Sequence, residues 1–112
     1  MQTQFARCVP HQSLTDALEI MGDEDVGWVP VVAARDDSRF LGWITARRAA
    51  VHLGVFDKRP SEVMCRELIE PPEAVLAPEE DWSAACATAA RYGRRRLPVV
   101  QEGRLVGVVA CG

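Results

Sequence analysis

Arg94-Arg95-Arg96 stands directly before a β-like run, Leu97-Pro98-Val99-Val100. A guanidinium carries its donors in a planar fork that matches a phosphate. Three in a row can therefore grip a phosphorylated ligand. They can equally form a solvated turn between a helix and a strand. A strand alternates its faces, so only some of the three side chains can point inward. Arg91, near the end of the preceding helical stretch, sits favourably against the helix dipole. The solvated turn is the simpler reading. Other candidate chemistry is sparse. Cys8 and His11 are spaced like two metal ligands, but no second pair matches them. A strand cysteine and a loop histidine explain them more simply. His11 and His52 lack nucleophilic partners, and His52 falls on a helix surface. No Gly-rich phosphate loop, serine elbow or paired histidine motif occurs. Asp23-Glu24-Asp25 and Asp36-Asp37 read as solvated loop charges. The chain is expected to catalyse nothing.

The elements that must position these residues are bounded by composition. The 112 residues suffice for one ordinary domain, or two small units sharing a core. A net charge of −3 does not favour nucleic acid or an anionic membrane surface as partner. The four cysteines, Cys8, Cys65, Cys86 and Cys111, form no C-x-x-C pair. They are expected to be reduced thiols, which suits a cytoplasmic setting. The opening MQTQFARC has no apolar signal core, and no apolar run reaches membrane-spanning length.

The chain also repeats itself. A shift of 68 residues carries Val29-Pro30-Val31-Val32 onto Leu97-Pro98-Val99-Val100, and Pro10 onto Pro78. It also carries Leu14, Ala17, Leu18 and Met21 onto Trp82, Ala85, Cys86 and Ala89. Both sets follow the i, i+3, i+4, i+7 stripe of an amphipathic helix. Ser13 and Asp81 precede them as N-caps, with Asp16 three residues after Ser13 as in a capping box. Gly93 can end the second helix in the left-handed conformation. Past the hairpin turn the shift becomes 65, carrying Gly42 onto Gly107. The difference lies in the loops AARDDSR and QEGR. Each unit reads as strand, helix, two-strand hairpin. First strands are expected near Ala6–Val9 and Ala74–Ala77. Hairpins are expected at Trp28–Ala33 with Phe40–Ile44, and at Arg96–Gln101 with Arg104–Val109. Thr45 caps a further helix, Ala46 to Leu53, closed by Gly54, and Pro60 starts a short helical turn through Leu68. One such unit cannot cover both faces of its sheet; two related by an approximate two-fold axis can.

The matched stretches GWVPVVAARDDSRFLGWIT and RRRLPVVQEGRLVGVV, with the opening VMCRELIEPPEAVLAPEEDWSAACATAA, resemble the tandem cystathionine-β-synthase (CBS) domain pair, or Bateman module. The resemblance implies an α/β (α+β) fold of two β-α-β-β-α repeats in pseudo-two-fold symmetry. The repeats would span 1–54 and 69–112, with a linker and short helix at 55–68. The second copy lacks the family's final helix, which implies a trimmed chain or a dispensable helix. The resemblance also implies clefts that bind adenine nucleotides, dimerisation through helices, and regulation of a larger enzyme, channel or transporter. The family's ligand pattern is Gly-h-h-Thr/Ser-x-x-Asp, where h is an apolar residue. Here Gly42-Trp43-Ile44-Thr45 keeps the hydroxyl, but Arg48 stands at the Asp position. Guanidinium accepts no hydrogen bond, so it cannot replace a carboxylate on ribose; it can pair with phosphate. The second copy reads Gly107-Val108-Val109-Ala110, without the hydroxyl.

The candidate ligand residues are Val29, Pro30, Thr45 and Arg48 in one cleft, and Arg95, Arg96 and Pro98 in the other. The candidate ligands are AMP, ADP, ATP or S-adenosylmethionine, with no cofactor required. Trp28, in the place of Arg96, could stack on a base, but core or dimer packing is the simpler role. Trp43 and Trp82 are expected in the core. The alternatives are a ligand-free dimerisation module and a regulatory tail. The hairpin stretches are similar to tails on ATPase subunits that import osmoprotectants.

Overall fold

A computed structural model describes residues 1–111. In chain order the elements are helix α1 (Leu14–Glu24), strands β1 (Trp28–Ala34) and β2 (Asp37–Thr45), and helix α2 (Ala46–Phe56). Helix α3 (Trp82–Arg91) and strands β3 (Arg96–Gln101) and β4 (Arg104–Ala110) follow. Two single 3-10 turns, Pro60–Glu62 and Cys65–Glu67, lie between α2 and α3. The strands form one antiparallel sheet in the order β1-β2-β4-β3. The two hairpins join only at Arg39 and Arg104, near their turns.

The expected first strands shrink to single bridges, because each makes one rung and then bends away. Cys8 pairs in parallel with Val31, and Leu76 with Val99. The bonds repeat under the 68-residue shift. The Cys8 N–H donates to the Pro30 carbonyl at 2.9 Å and the Leu76 N–H to the Pro98 carbonyl at 2.9 Å.

The segments before each unit cross over. Gln2 pairs with Val108 on the second hairpin, and Glu70 pairs with Trp43 on the first. Gln2 and Glu70 are 68 apart, so each unit lends its leading segment to the other. Gly42 explains itself here. Its φ is +138°, and a Cβ would stand 2.6 Å from the Glu70 carbonyl oxygen and 2.9 Å from Ile69 Cγ2. A side chain would push the crossing strand away. Gly107, its counterpart, leaves the same room: a Cβ there would meet Met1 and, at 3.0 Å, the Gln2 carbonyl oxygen.

Each unit has its own core. Cys8, Leu14, Ala17, Val29, Val31 and Ile44 pack in the first, and Leu76, Ala89, Leu97, Val99 and Val109 in the second. Between the units, Val9, Val32 and Leu105 form one cluster, and Trp28, Trp43 and Val108 another. Trp43 and Val108 are equivalents under the 65-residue shift, so the second cluster straddles the approximate two-fold axis. Apolar surface buried there contributes about 25 cal/mol per Å² to holding the halves together.

Three local expectations change. Helix α2 runs past Gly54 to Phe56 and closes at Asp57, whose φ is 50°. The Leu53 carbonyl accepts bonds from beyond the helix end, and Gly54 continues as an ordinary helical residue. Ser13 begins α1 without a side-chain bond to it, and Asp16 accepts from Gln12 Nε2 at 3.3 Å instead of closing a capping box. The cysteines are not all thiols. Cys86 on α3 and Cys111 just after β4 form a disulfide, because the strand end returns beside the apolar face of α3. Cys8 and Cys65 are free and buried in the first core. Their mutual hydrogen bond, then burial, pushes the Cys8 thiol far up, so it stays protonated.

Candidate functional site

Both helices end in the same way, and these endings build a cleft. Asp25 (φ 53°) and Gly93 (φ 71°) are equivalent residues in the left-handed conformation. After each, an N–H turns back to the helix: Val26 to the Met21 carbonyl at 3.0 Å, Arg94 to the Ala89 carbonyl at 2.9 Å. This double return is a helix C-terminal cap of the Schellman type. It directs the next residues of each unit toward the two-fold axis. Asp25-Val26-Gly27-Trp28 and Gly93-Arg94-Arg95-Arg96 thereby line one cavity of ≈ 480 Å³. Every lining residue has its symmetry mate on the other wall, so the cavity lies on the axis. Beside it a recess of ≈ 20 Å³, whose lining includes Phe5, Glu24, Val29, Pro30 and Val108, shares Val26, Trp28 and Arg96 with the larger space.

The two walls differ in charge, and the arginines differ in employment. Arg94 forks onto Glu73, with Nη2 at 2.8 Å from Oε1 and Nε at 3.2 Å from Oε2. It also lies 4.9 Å from the centre of the Trp43 ring. These hydrogen bonds hold the Glu73 carboxyl below the usual range. Arg96 Nη2 donates to Gln2 Oε1, a neutral partner, at 2.5 Å. Arg95 is exposed, and its carbonyl accepts the Cys111 N–H at 2.6 Å. Among the described residues, Arg95 and Arg96 meet no carboxylate within ion-pair distance. The cleft therefore offers two guanidinium groups that no carboxylate of the described residues neutralises. On the opposite wall stands Asp25.

The candidate residues named from sequence divide into groups. Val29 and Pro30 meet Arg96 in the recess. Arg95 and Arg96 line the main cavity. Pro98 is fully buried and gives its carbonyl to Leu76. Thr45 and Arg48 do not form an open phosphate site together, because Glu70 meets both. Thr45 Oγ1 donates to Glu70 Oε1 at 3.2 Å and accepts from the Arg48 N–H at 3.1 Å. Arg48 Nη1 lies 3.6 Å from Glu70 Oε2. Thr45 thus caps α2, as its position implies, while the crossing segment supplies the carboxylate for Arg48. Trp28 packs in the core against Trp43, ring centres 4.8 Å apart, and only its margin reaches the cleft. Trp43 is buried and Trp82 half-buried, its Nε1 donating to the Ala77 carbonyl at 2.9 Å.

Sequence reasoning missed Gln2, Glu70 and Asp25. Carrying the 68-residue shift back to the start of the chain aligns Gln2 with Glu70 and so signals the crossing. The tie between Arg94 and Glu73 has no such signal.

Residues 1–53 and 61–110 each match the CBS domain family. The chain belongs to that family as a tandem pair of CBS domains. It is 34% identical over its whole length to the CBS domain-containing protein YhcV of Bacillus subtilis, of which it spans 77%. It is 30% identical to a stretch of inosine-5'-monophosphate dehydrogenase from Staphylococcus saprophyticus, matching 89% of this chain but 20% of that protein. Among solved structures, Hypoxic Response Protein I with two coordinated zinc ions superposes with a TM-score of 0.79 at 25% identity, covering 98% of this chain and 88% of that one. CBSX2 in complex with AMP gives a TM-score of 0.73 at 21% identity, covering 98% and 85%. The described residues bring together no group of three His, Cys, Asp or Glu side chains able to hold a metal. No helix among them is long and apolar enough to cross a membrane.

Proposed function

We propose that the chain is a non-catalytic regulatory module that binds a phosphate-bearing metabolite, of the adenine nucleotide class, in the cleft on its two-fold axis. The observation that carries this reading is the pair of guanidinium groups, Arg95 and Arg96, which meet no carboxylate among the described residues, at a cavity of ≈ 480 Å³. That volume lies within the range of small-molecule sites. Charge-assisted bonds from Arg to phosphate are among the stronger polar contacts. Relatives of the same fold support the ligand class, since CBSX2 is described in complex with AMP. Both walls contribute, one from each repeat, so a ligand touching both favours one angle between the repeats over others. That is how binding would reach a fused or neighbouring enzyme or transporter.

The test is a thermal-shift series with AMP, ADP, ATP, S-adenosylmethionine and inorganic phosphate. A ligand at ~100 times its dissociation constant adds ~2.7 kcal/mol of stability. Stabilisation by the nucleotides that Arg96→Ala abolishes supports the reading. No response to any of them rejects it.

A second reading is a ligand-free dimerisation module. Two observations favour it: Glu70 meets Arg48 where the first repeat would take its ligand, and α2 exposes Val51, Val55 and Phe56 on its surface. It requires a dimer by light scattering that Val55→Asp dissociates, together with silence in the nucleotide series.

A further inference from the structure

The disulfide joins the cleft to the redox state of its surroundings. Cys86 lies on α3, which runs directly into the turn Gly93–Arg96. Cys111 follows β4, and its N–H holds the Arg95 carbonyl at 2.6 Å. The S–S bond spans 25 positions and encloses the whole arginine turn with the β3–β4 hairpin. Helix α1 has a different support. It packs on β1, α2 and the turn at Pro60–Glu62. Helix α3 packs chiefly on β3, and only Ala89 is fully buried along it. The covalent link thus secures the less buried helix and the segment that holds Arg95 in place.

We propose that the Cys86–Cys111 disulfide is a redox switch on the axial cleft, with the oxidised form the tighter binder of the anionic ligand. This rests on the reading of the cleft given above. Reduction by a dithiol is balanced. One thiolate of the reductant attacks a protein sulfur and breaks the S–S bond. Its second thiolate then attacks the reductant's own sulfur in that mixed disulfide and expels the protein cysteine, leaving the reductant as its own disulfide. Two electrons and two protons end on Cys86 and Cys111 as thiols. Both residues are half-buried, within reach of a small reductant, whereas Cys8 and Cys65 are buried. Freed from Cys86, the strand end no longer fixes the Arg95 backbone. The arginine turn then loses preorganisation, and the bound ligand must pay the ordering cost.

The experiment uses ATP as probe. Calorimetric titration of the oxidised and the dithiothreitol-reduced chain should show about tenfold weaker binding after reduction, an ordinary size for coupling between sites. Cys86→Ser should bind as the reduced chain does and ignore dithiothreitol. By reciprocity, saturating ATP should make the disulfide's midpoint potential about 30 mV more negative. Alkylation of the reduced, folded chain should label Cys86 and Cys111 and spare Cys8 and Cys65. Equal ATP affinity in both redox states overturns the switch while leaving the cleft standing. ATP binding to neither state overturns the cleft, and the switch with it. Four free thiols after mild oxidation remove the disulfide itself.

Discussion

Arg94 and Arg96 stand two residues apart, yet only Arg94 meets a carboxylate. Its fork on Glu73 is partly buried, the side chains 20% and 23% exposed, so water screens the pair less than an open surface pair. Glu73→Gln should cost about 1–2 kcal/mol at pH 7, as for a hydrogen bond to a charged group. The pH dependence has a fixed sign. The folded carboxyl sits below its ordinary value of 4.5, so its contribution is complete above that value. It is lost as pH falls through the lowered folded value. Urea denaturation should show the gap between wild type and variant closing in acid; a gap that stays constant contradicts the ion pair. Arg96 should act differently. Arg96→Ala should weaken ATP binding about tenfold or more with little change in melting, whereas Arg91→Ala should leave binding unchanged. One charge-assisted contact is worth about that much. The arginine cluster was visible in the sequence, but its division of labour was not. Which guanidinium meets a carboxylate depends on Glu73 and Gln2, 21 and 94 residues away along the chain.

At the scale of elements, glycines separate packing from propensity. Gly42→Ala should cost more than ~2 kcal/mol, because the added Cβ meets the crossing strand and the backbone sits at positive φ. Gly22→Ala, on an exposed turn of α1 with nothing within 4 Å, should instead stabilise by about 0.5–1 kcal/mol. Chemical denaturation of the two variants checks both; equal effects would mean that the crossing segment does not press on Gly42. Thr45→Ala should cost about 1 kcal/mol through the lost cap on α2. Helices and hairpins were legible because periods of 3.6 and 2 are written locally. The hairpin ends agreed to within two residues at all but one end, β2 starting three residues earlier at Asp37. The crossing segments were not legible in the same way. Gln2 and Glu70 make one rung each, too short for any period, and their partners belong to the other repeat. The disulfide was hidden for a related reason: Cys86 lies on what reads as an ordinary apolar stripe, and only the return of β4 brings Cys111 to it.

For the whole molecule, the two-fold relation accounts for both stability and site. Each unit lends its leading segment to the other, and clusters such as Trp28, Trp43 and Val108 fill the seam. The same relation brings the turns 25–28 and 93–96 face to face, one acidic and one basic. On the proposed reading this asymmetry makes the site directional, because an anion would reach guanidinium groups on one wall and the edge of Trp28 on the other. Amide chemical shifts during an ATP titration test this most directly. Residues 25–28 and 93–96 should move together with one dissociation constant. Shifts confined to Thr45–Arg48, or none in either turn at millimolar ATP, would contradict it.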